Sequence, residues 1–267
     1  MTDIETFREQ QLTRLRDAGA LAAFEGAPPQ LLAALKRVVG ASDFVREALE
    51  REAGLGKWLI EEAELGLALD ATAMARRIEA AAATAGDPEA FMAALRRQRR
   101  REMVRIAWRD LAGIAPVAEA LAETSAFADA SIEAAVAFAT RELEGLYGAA
   151  RNPAGEPQPL IVLGMGKLGG GELNFSSDID LIFVFPERGE TAGPRRIDNE
   201  DFFTRLGRLV IRLLGERTSD GIVHRVDMRL RPFGDSGPLA VSAAFLDDYL
   251  QAHGRDWERY AWIKARA

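Results

Sequence analysis

Cysteine is missing from the sequence altogether, which removes disulfides, thiolate metal ligands and a cysteine nucleophile from consideration. The absence also fits a reducing compartment, so the cytoplasm is the expected location. Histidine is nearly as scarce, with two in 267 residues. His224 and His253 have no second histidine or cysteine at metal-ligand spacing, and a lone histidine reads as structural. No stretch approaches 18 uninterrupted apolar residues, so no membrane-spanning helix and no membrane partner are expected. The start, MTDIETFREQQLTRLRDAGA, is charged from its third residue and lacks the apolar core of a signal peptide. Positive charge is in the minority as well. With 34 Lys+Arg against 41 Asp+Glu the net charge is −7, which argues against nucleic acid as a partner held by phosphate neutralisation.

What remains, at 48% hydrophobic residues, is enough for one large or two modest domains with a real core. Residues 1 to about 147 are rich in Ala, Leu, Glu and Arg, with apolar positions three and four apart, and are expected to be all helical. GAPPQ (26–30) and AGDPEA (85–90) interrupt the pattern. In RREMVRIAWRDLAG (100–113), Met103, Ile106, Ala107 and Leu111 follow one buried helix face and Gly113 is a natural stop. The arginine-rich RRQRRRE (96–102) reads as a solvated face or, alternatively, as a contact for an acidic partner. Gly, Pro and Asn cluster at YGAARNPAGEPQP (147–159), which marks a boundary. Strands are then expected at 160–165, 178–185 and 222–232, a glycine-rich turn at 166–174, a helix at 199–216, and helix again over 242–267. The domain reading is 1–150 helical, 151–241 mixed, and 242–267 the start of a returning helical region. In that last region Trp257, Tyr260, Ala261 and Lys264 share a face expected to pack on the sheet or the N-terminal helices. The chain breaks off at Ala267 inside what reads as an uncapped amphipathic helix, as part of a longer protein would.

The chemistry concentrates in SSDIDLIFVF (176–185). On a strand Asp178 and Asp180 project from the same side, about 7 Å apart along the backbone. In VDMRLRP the same alternation turns Asp227, Arg229 and Arg231 one way and Val226, Met228 and Leu230 the other. Three crowded carboxylates raise one another's pKa unless cations sit among them. Hard oxygen ligands suit Mg²⁺, and two such ions clamp an in-line displacement at phosphorus, so Asp178, Asp180 and Asp227 read as a metal cradle. Gly164, Gly166, Gly169, Gly170 and Gly171 exceed what a chain reversal needs and would let backbone amides approach a phosphate, with Gly170 expected at positive φ. Ser176 and Ser177 read chiefly as caps of that turn, and Asp235 as a turn residue.

GMGKLGGGELNFSSDIDLIFVF and HRVDMRLRPFGDSGPL resemble the signature segments of the glutamine synthetase adenylyltransferase/adenylyl-removing enzyme family, within the polymerase-β-like nucleotidyltransferases. RRREMVRIAWRDLAG and GRDWERYAWIKAR extend the resemblance over most of residues 95–266. It implies an α+β fold, a helical bundle plus a nucleotidyltransferase domain with a small mixed sheet. Gly166-Lys167 stands where that superfamily carries Gly-Ser. The family carries two copies of the domain, one removing AMP from glutamine synthetase and one attaching it, and VDMRLRPFGDSG is similar to the removing copy. The resemblance then implies that Asp178, Asp180 and Asp227 bind two Mg²⁺ ions. Phosphate would attack an adenylyl-tyrosine of glutamine synthetase to give ADP, without a side-chain base. Lys167, Arg229 and Arg231 would hold phosphoryl oxygens, Arg231 equally well pairing with the aspartates. Gly166, Gly169, Gly170 and Ser177 would line the nucleotide. A PII-type signalling protein is a further implied partner. Two other readings stay open: an AMP transfer onto a protein or small molecule, and an inert interaction module docking a regulatory partner.

Overall fold

The computed structural model describes residues 3–52 and 54–267. Up to Tyr147 its described residues are helical, with α1 (Asp3–Asp17), a 3-10 turn (Ala20–Phe24), α2 (Pro29–Val39), α3 (Asp43–Arg51), α4 (Leu55–Glu61), α5 (Ala71–Ala82), α6 (Pro88–Leu111) and α7 (Val117–Tyr147). Both interruptions in the apolar pattern are helix starts: Pro29 opens α2 and Pro88 opens α6, where a missing N–H costs nothing. Ser42, Asp70 and Asp87 each accept the backbone N–H three residues on, which satisfies a donor the helix itself leaves unpaired. Gly113, at φ 74°, ends α6 as expected.

Helix α6 is buried on two sides. Met103 and Ile106 join a large cluster with α5, α7 and the sheet, while Val104, Ala107 and Trp108 join a second one with α1 to α4. Trp108 lies parallel to Phe24 with ring centroids 6.0 Å apart. A one-face pattern therefore captured Met103, Ile106 and Ala107 but understated how much of the helix is enclosed. The arginine run is also more than a solvated face. Arg96 is buried and donates from Nε to the Gly221 carbonyl (2.9 Å) and from Nη1 to those of Met92 (3.0 Å) and Leu213 (3.2 Å). Arg100 and Arg101 find their acidic partner inside the molecule, each 3.2 Å from Glu52. Further along, the buried Glu123 carboxylate takes Arg105 at 2.9 Å and Arg109 at 2.7 Å, plus the Leu69 N–H at 2.6 Å. Arg105 and Arg109 also donate to the Ala63 (2.7 Å) and Leu65 (3.0 Å) carbonyls, so the α4–α5 connection is tied down by charge-assisted bonds.

Beyond Tyr147 come β1 (Ala150–Arg151), β2 (Ile161–Gly164), α8 (Gly166–Gly169), β3 (Ile179–Phe185), β4 (Glu190–Thr191), α9 (Asn199–Gly215), β5 (Val226–Asp227), a 3-10 turn (Gly234–Ser236), β6 (Ala240–Ser242), α10 (Ala243–Ala252), α11 (Asp256–Ala261) and a 3-10 turn (Trp262–Lys264). The fold is thus α+β with small mixed sheets. Strand β3 is the centre: β2 pairs antiparallel on one edge, β5 and then β6 pair parallel on the other. Both faces of β3 are covered, which explains its unbroken apolar run. Phe183 and Phe185 enter the large cluster with Phe127 of α7 and Phe202 and Phe203 of α9. Ile182 and Val184 face the other way, against Met165, Val241 and Leu246. Helix α9 sits close to β3 because residue 207 is glycine; a Cβ there would lie 2.7 Å from the Phe183 ring.

Three expectations need correction. The strand expected over 222–232 is two residues long, because the chain turns after Met228, where the Arg231 N–H bonds the Met228 carbonyl at 3.2 Å and Pro232 has no N–H to pair. Strand β6 lies where none was expected. The C-terminal segment is not one amphipathic helix: α10 stops at Ala252, α11 is short, and Arg266 pairs with Gly164 on the free edge of β2. Trp257 (54%) and Tyr260 (76%) are exposed, contrary to expectation, while Ala261 packs on the sheet as expected, joined by Trp262. Lys264 pairs with Glu172. Among the described residues no helix is long and apolar enough to cross a membrane.

Candidate active site

Asp180 and Asp227 are partners in the parallel β3–β5 register. Alternation gives them one face, because Ile179 and Leu181 on β3, and Met228 just after β5, are buried in the large cluster. Asp178 enters β3 two residues earlier and is exposed. The Asp180 carboxylate lies against the glycine turn, 3.6 Å from where a Gly166 Cβ would be, and the Met165 N–H donates to the Asp180 carbonyl at 2.9 Å.

Charge is distributed unevenly over the three carboxylates. Asp227 accepts the Arg229 backbone N–H at 2.8 Å and the Arg229 guanidinium Nε at 3.0 and 2.8 Å on its two oxygens. That clasp holds its pKa below the usual carboxylate range. Asp178 is paired with Arg225, which also donates to the Ser176 carbonyl. No hydrogen bond or ion pair of a cation reaches the Asp180 side chain among the described residues, and its pKa is pushed up, by burial first and then by the charges of Asp227 and Asp178. Like-charge crowding therefore falls on Asp180.

Among the described residues no three His, Asp or Glu side chains already stand as a metal cage. Two of the three aspartates are engaged by arginines, in the place a cation would take. As a donor set three carboxylates fit a hard divalent cation such as Mg²⁺ once Arg225 and Arg229 swing aside.

The glycines divide by role. Gly166 (φ 56°) and Gly171 (φ 68°) occupy left-handed backbone that favours glycine. Gly169 is required for packing: a Cβ there would lie 1.8 Å from the Lys264 carbonyl oxygen. Gly170 has an ordinary helical φ of −76°, contrary to the expectation of positive φ. The ammonium of Lys167 rests 3.3 Å from Asn174 Oδ1 and 3.4 Å from Ser177 Oγ, and Ser177 also bonds Asn174. Ser177 thus closes the 174–177 turn, its N–H donating to the Asn174 carbonyl at 3.1 Å. Arg231 does not follow the alternation, since β5 has ended. Its Nη1 donates to the Met228 carbonyl at 2.8 Å and sits 3.5 Å from Asp235, an exposed turn residue as expected.

Arg225 and Asn174 are the site residues the sequence reading missed. Arg225 was within reach of it: it has the parity of Asp227 on the same strand pattern, one step before the alternation was counted. Asn174, in a loop without periodicity, offers no such signal. Neither histidine joins the three aspartates. His224 is buried with its ring centroid 5.7 Å from that of Phe127, and burial plus the Arg99 charge lower its pKa to about 3. His253 leans on Phe233 at 5.5 Å.

Comparison with known proteins gives a consistent result. The profile of the family described as glutamate-ammonia ligase adenylyltransferase matches residues 32–267. A protein of Shewanella loihica is 48% identical over 99% of this chain and 28% of its own length. One of Thioalkalivibrio sulfidiphilus is 50% identical over 87% and 24%, and one of Pseudomonas aeruginosa 48% over 94% and 26%. Each is named a bifunctional glutamine synthetase adenylyltransferase/adenylyl-removing enzyme. The chain spans about a quarter of the length of these relatives.

Proposed function

The chain belongs to the glutamate-ammonia ligase adenylyltransferase family, a family of nucleotidyltransferases, and on that premise we propose that it removes AMP from adenylylated glutamine synthetase by phosphorolysis. The observation that carries this reading is the cross-strand pair Asp180–Asp227 beside Gly166, with Asp178 two residues upstream. In this reading an oxygen of hydrogen phosphate forms a bond to the adenylyl phosphorus and the bond from phosphorus to the tyrosine oxygen breaks. The proton of hydrogen phosphate ends on that tyrosine oxygen, and the products are ADP and unmodified tyrosine. No side-chain base is needed, which suits a centre whose nearest histidine, His224, is buried and neutral.

Asp178, Asp180 and Asp227 would hold Mg²⁺, which when bound supplies neutralisation of charge on the transferring phosphoryl group. Arg229, exposed apart from its bonds to Asp227, would take a phosphoryl oxygen when it leaves that carboxylate. Lys167 is a second exposed cation across the turn. Support for removal over attachment comes from the wording VDMRLRPFGDSG.

The test mixes the chain with glutamine synthetase carrying labelled AMP, phosphate and Mg²⁺, and in parallel with labelled ATP and unmodified glutamine synthetase. Labelled ADP is expected from the first mixture only, with Asp180→Asn slowing its release by 10²-fold or more. Label transferred from ATP to protein, or ADP release untouched by Asp180→Asn, refutes the reading.

A further inference from the structure

Between α6 and the segments 173–177 and 222–225 lies a cleft of about 140 Å³ with Arg99, Asn174, Ser177, His224 and Arg225 in its walls. Its charge is unbalanced. Arg99 makes no ion pair or hydrogen bond among the described residues, and its Nε is buried without a partner. Of the neighbouring arginines of α6, Arg96 is held by carbonyls and Arg100 and Arg101 by Glu52, while Arg97 is exposed. The charge that bears on Arg99 is that of Arg225, another cation, and burial and this repulsion together lower its pKa. On the facing wall, His224 Nε2 is likewise buried without a partner. A buried polar atom left without a partner is costly, and here two such atoms and two like charges meet in one hollow.

One kind of ligand answers all of these at once, a small oxyanion. Its oxygens accept from the Arg99 and Arg225 guanidinium groups, and its charge relieves their repulsion. At about 140 Å³ the cleft is smaller than the roughly 300 Å³ at which pockets begin to hold drug-sized ligands, which favours a small anion over a whole nucleotide. We propose that this cleft is a binding site for inorganic phosphate, with the half-buried Arg99, whose Nε is enclosed, as its anchor and Arg225 turning from Asp178 toward the anion. The cleft adjoins the aspartates through Arg225, and the assignment does not depend on the adenylyl-removal reading, since it is defined by binding and not by turnover.

Calorimetric titration of the chain with inorganic phosphate, at constant ionic strength in chloride, tests the assignment. One phosphate per chain is expected. Arg99→Met should weaken binding at least tenfold, and Arg99→Lys, which keeps the charge, should recover most of it. His224→Phe, which removes the facing polar atom, gives an independent reading of the same site if Arg99→Met does not fold. AMP is expected to bind without dependence on Arg99. Phosphate affinity unchanged in Arg99→Met and in His224→Phe overturns the proposal, as does AMP binding that Arg99→Met abolishes. Loss of adenylyl removal with this titration intact would strike the proposed activity and leave the cleft standing.

Discussion

Acidification from pH 7 to pH 5 should cost this protein stability through one residue, His224. Folding holds its imidazole neutral down to about pH 3, against an ordinary value of 6.5, because the ring is buried and faces Arg99. The native state therefore binds fewer protons than the unfolded chain anywhere between those two values. Stability from this source is complete above pH 6.5 and falls as the pH drops, with the loss levelling off near pH 3. At pH 5 the unfolded histidine is protonated over about 1.5 units, and at roughly 1.4 kcal/mol per unit the loss relative to pH 7 is about 2 kcal/mol. Urea unfolding of the parent and of His224→Phe at pH 7, 6 and 5, in buffers free of phosphate, isolates the effect. Carboxylates common to both proteins cancel in the difference, and Phe, placed against Phe127, cannot titrate. The stability of the parent relative to the variant should fall by about 2 kcal/mol across the range. A difference that stays flat to within about 0.5 kcal/mol refutes the account of a histidine held neutral.

Asp180→Asn relieves the crowding of three carboxylates, so its unfolding free energy in urea should equal or exceed the parent's, by no more than about 1 kcal/mol in a half-exposed position; a clear fall would show that Asp180 is not the crowded group. Gly169→Ala should lose about 1–3 kcal/mol in urea unfolding because its Cβ meets the Lys264 carbonyl, whereas Gly170→Ala, at helical φ, should stay within about 0.5 kcal/mol; equal costs would refute the division of roles among the glycines. Glu123→Gln should lose about 3–5 kcal/mol by leaving Arg105 and Arg109 buried without a counter-charge, and a variant as stable as the parent would refute a structural role for that network.

The long helices were legible because each repeats its apolar spacing many times, and Asp178–Asp180 because the run after them is too apolar to lie anywhere but in a core. Asp227 was legible from strand parity, and extending that parity one step back would have included Arg225. The apparent strand through Arg231 shows the limit of the method: alternation in DMRLRP mimics a strand, while the Arg231–Met228 hydrogen bond and Pro232 make a turn. Strand β6 exists because β3 offers it an edge, and three residues carry no period of their own. Glycine count pointed to the turn at 166–171 but not to which glycine needs its freedom, since Gly169 is dictated by Lys264, far along the chain. The exposure of Trp257 and Tyr260 is equally a matter of where α11 is placed, which its face pattern does not encode.

Helix α6, enclosed by both buried clusters, has a consequence for amide exchange. Its backbone between Met103 and Trp108 opens only when both cores open, so these protons belong to the slowest-exchanging class, released by global unfolding alone. Arg99 projects from the same helix a turn earlier, and His224 bonds through its N–H to Leu214 of the α9 end that Arg96 also grips. The two walls of the cleft therefore ride on one cooperative unit and keep their spacing through the local openings that loosen exposed segments such as α11.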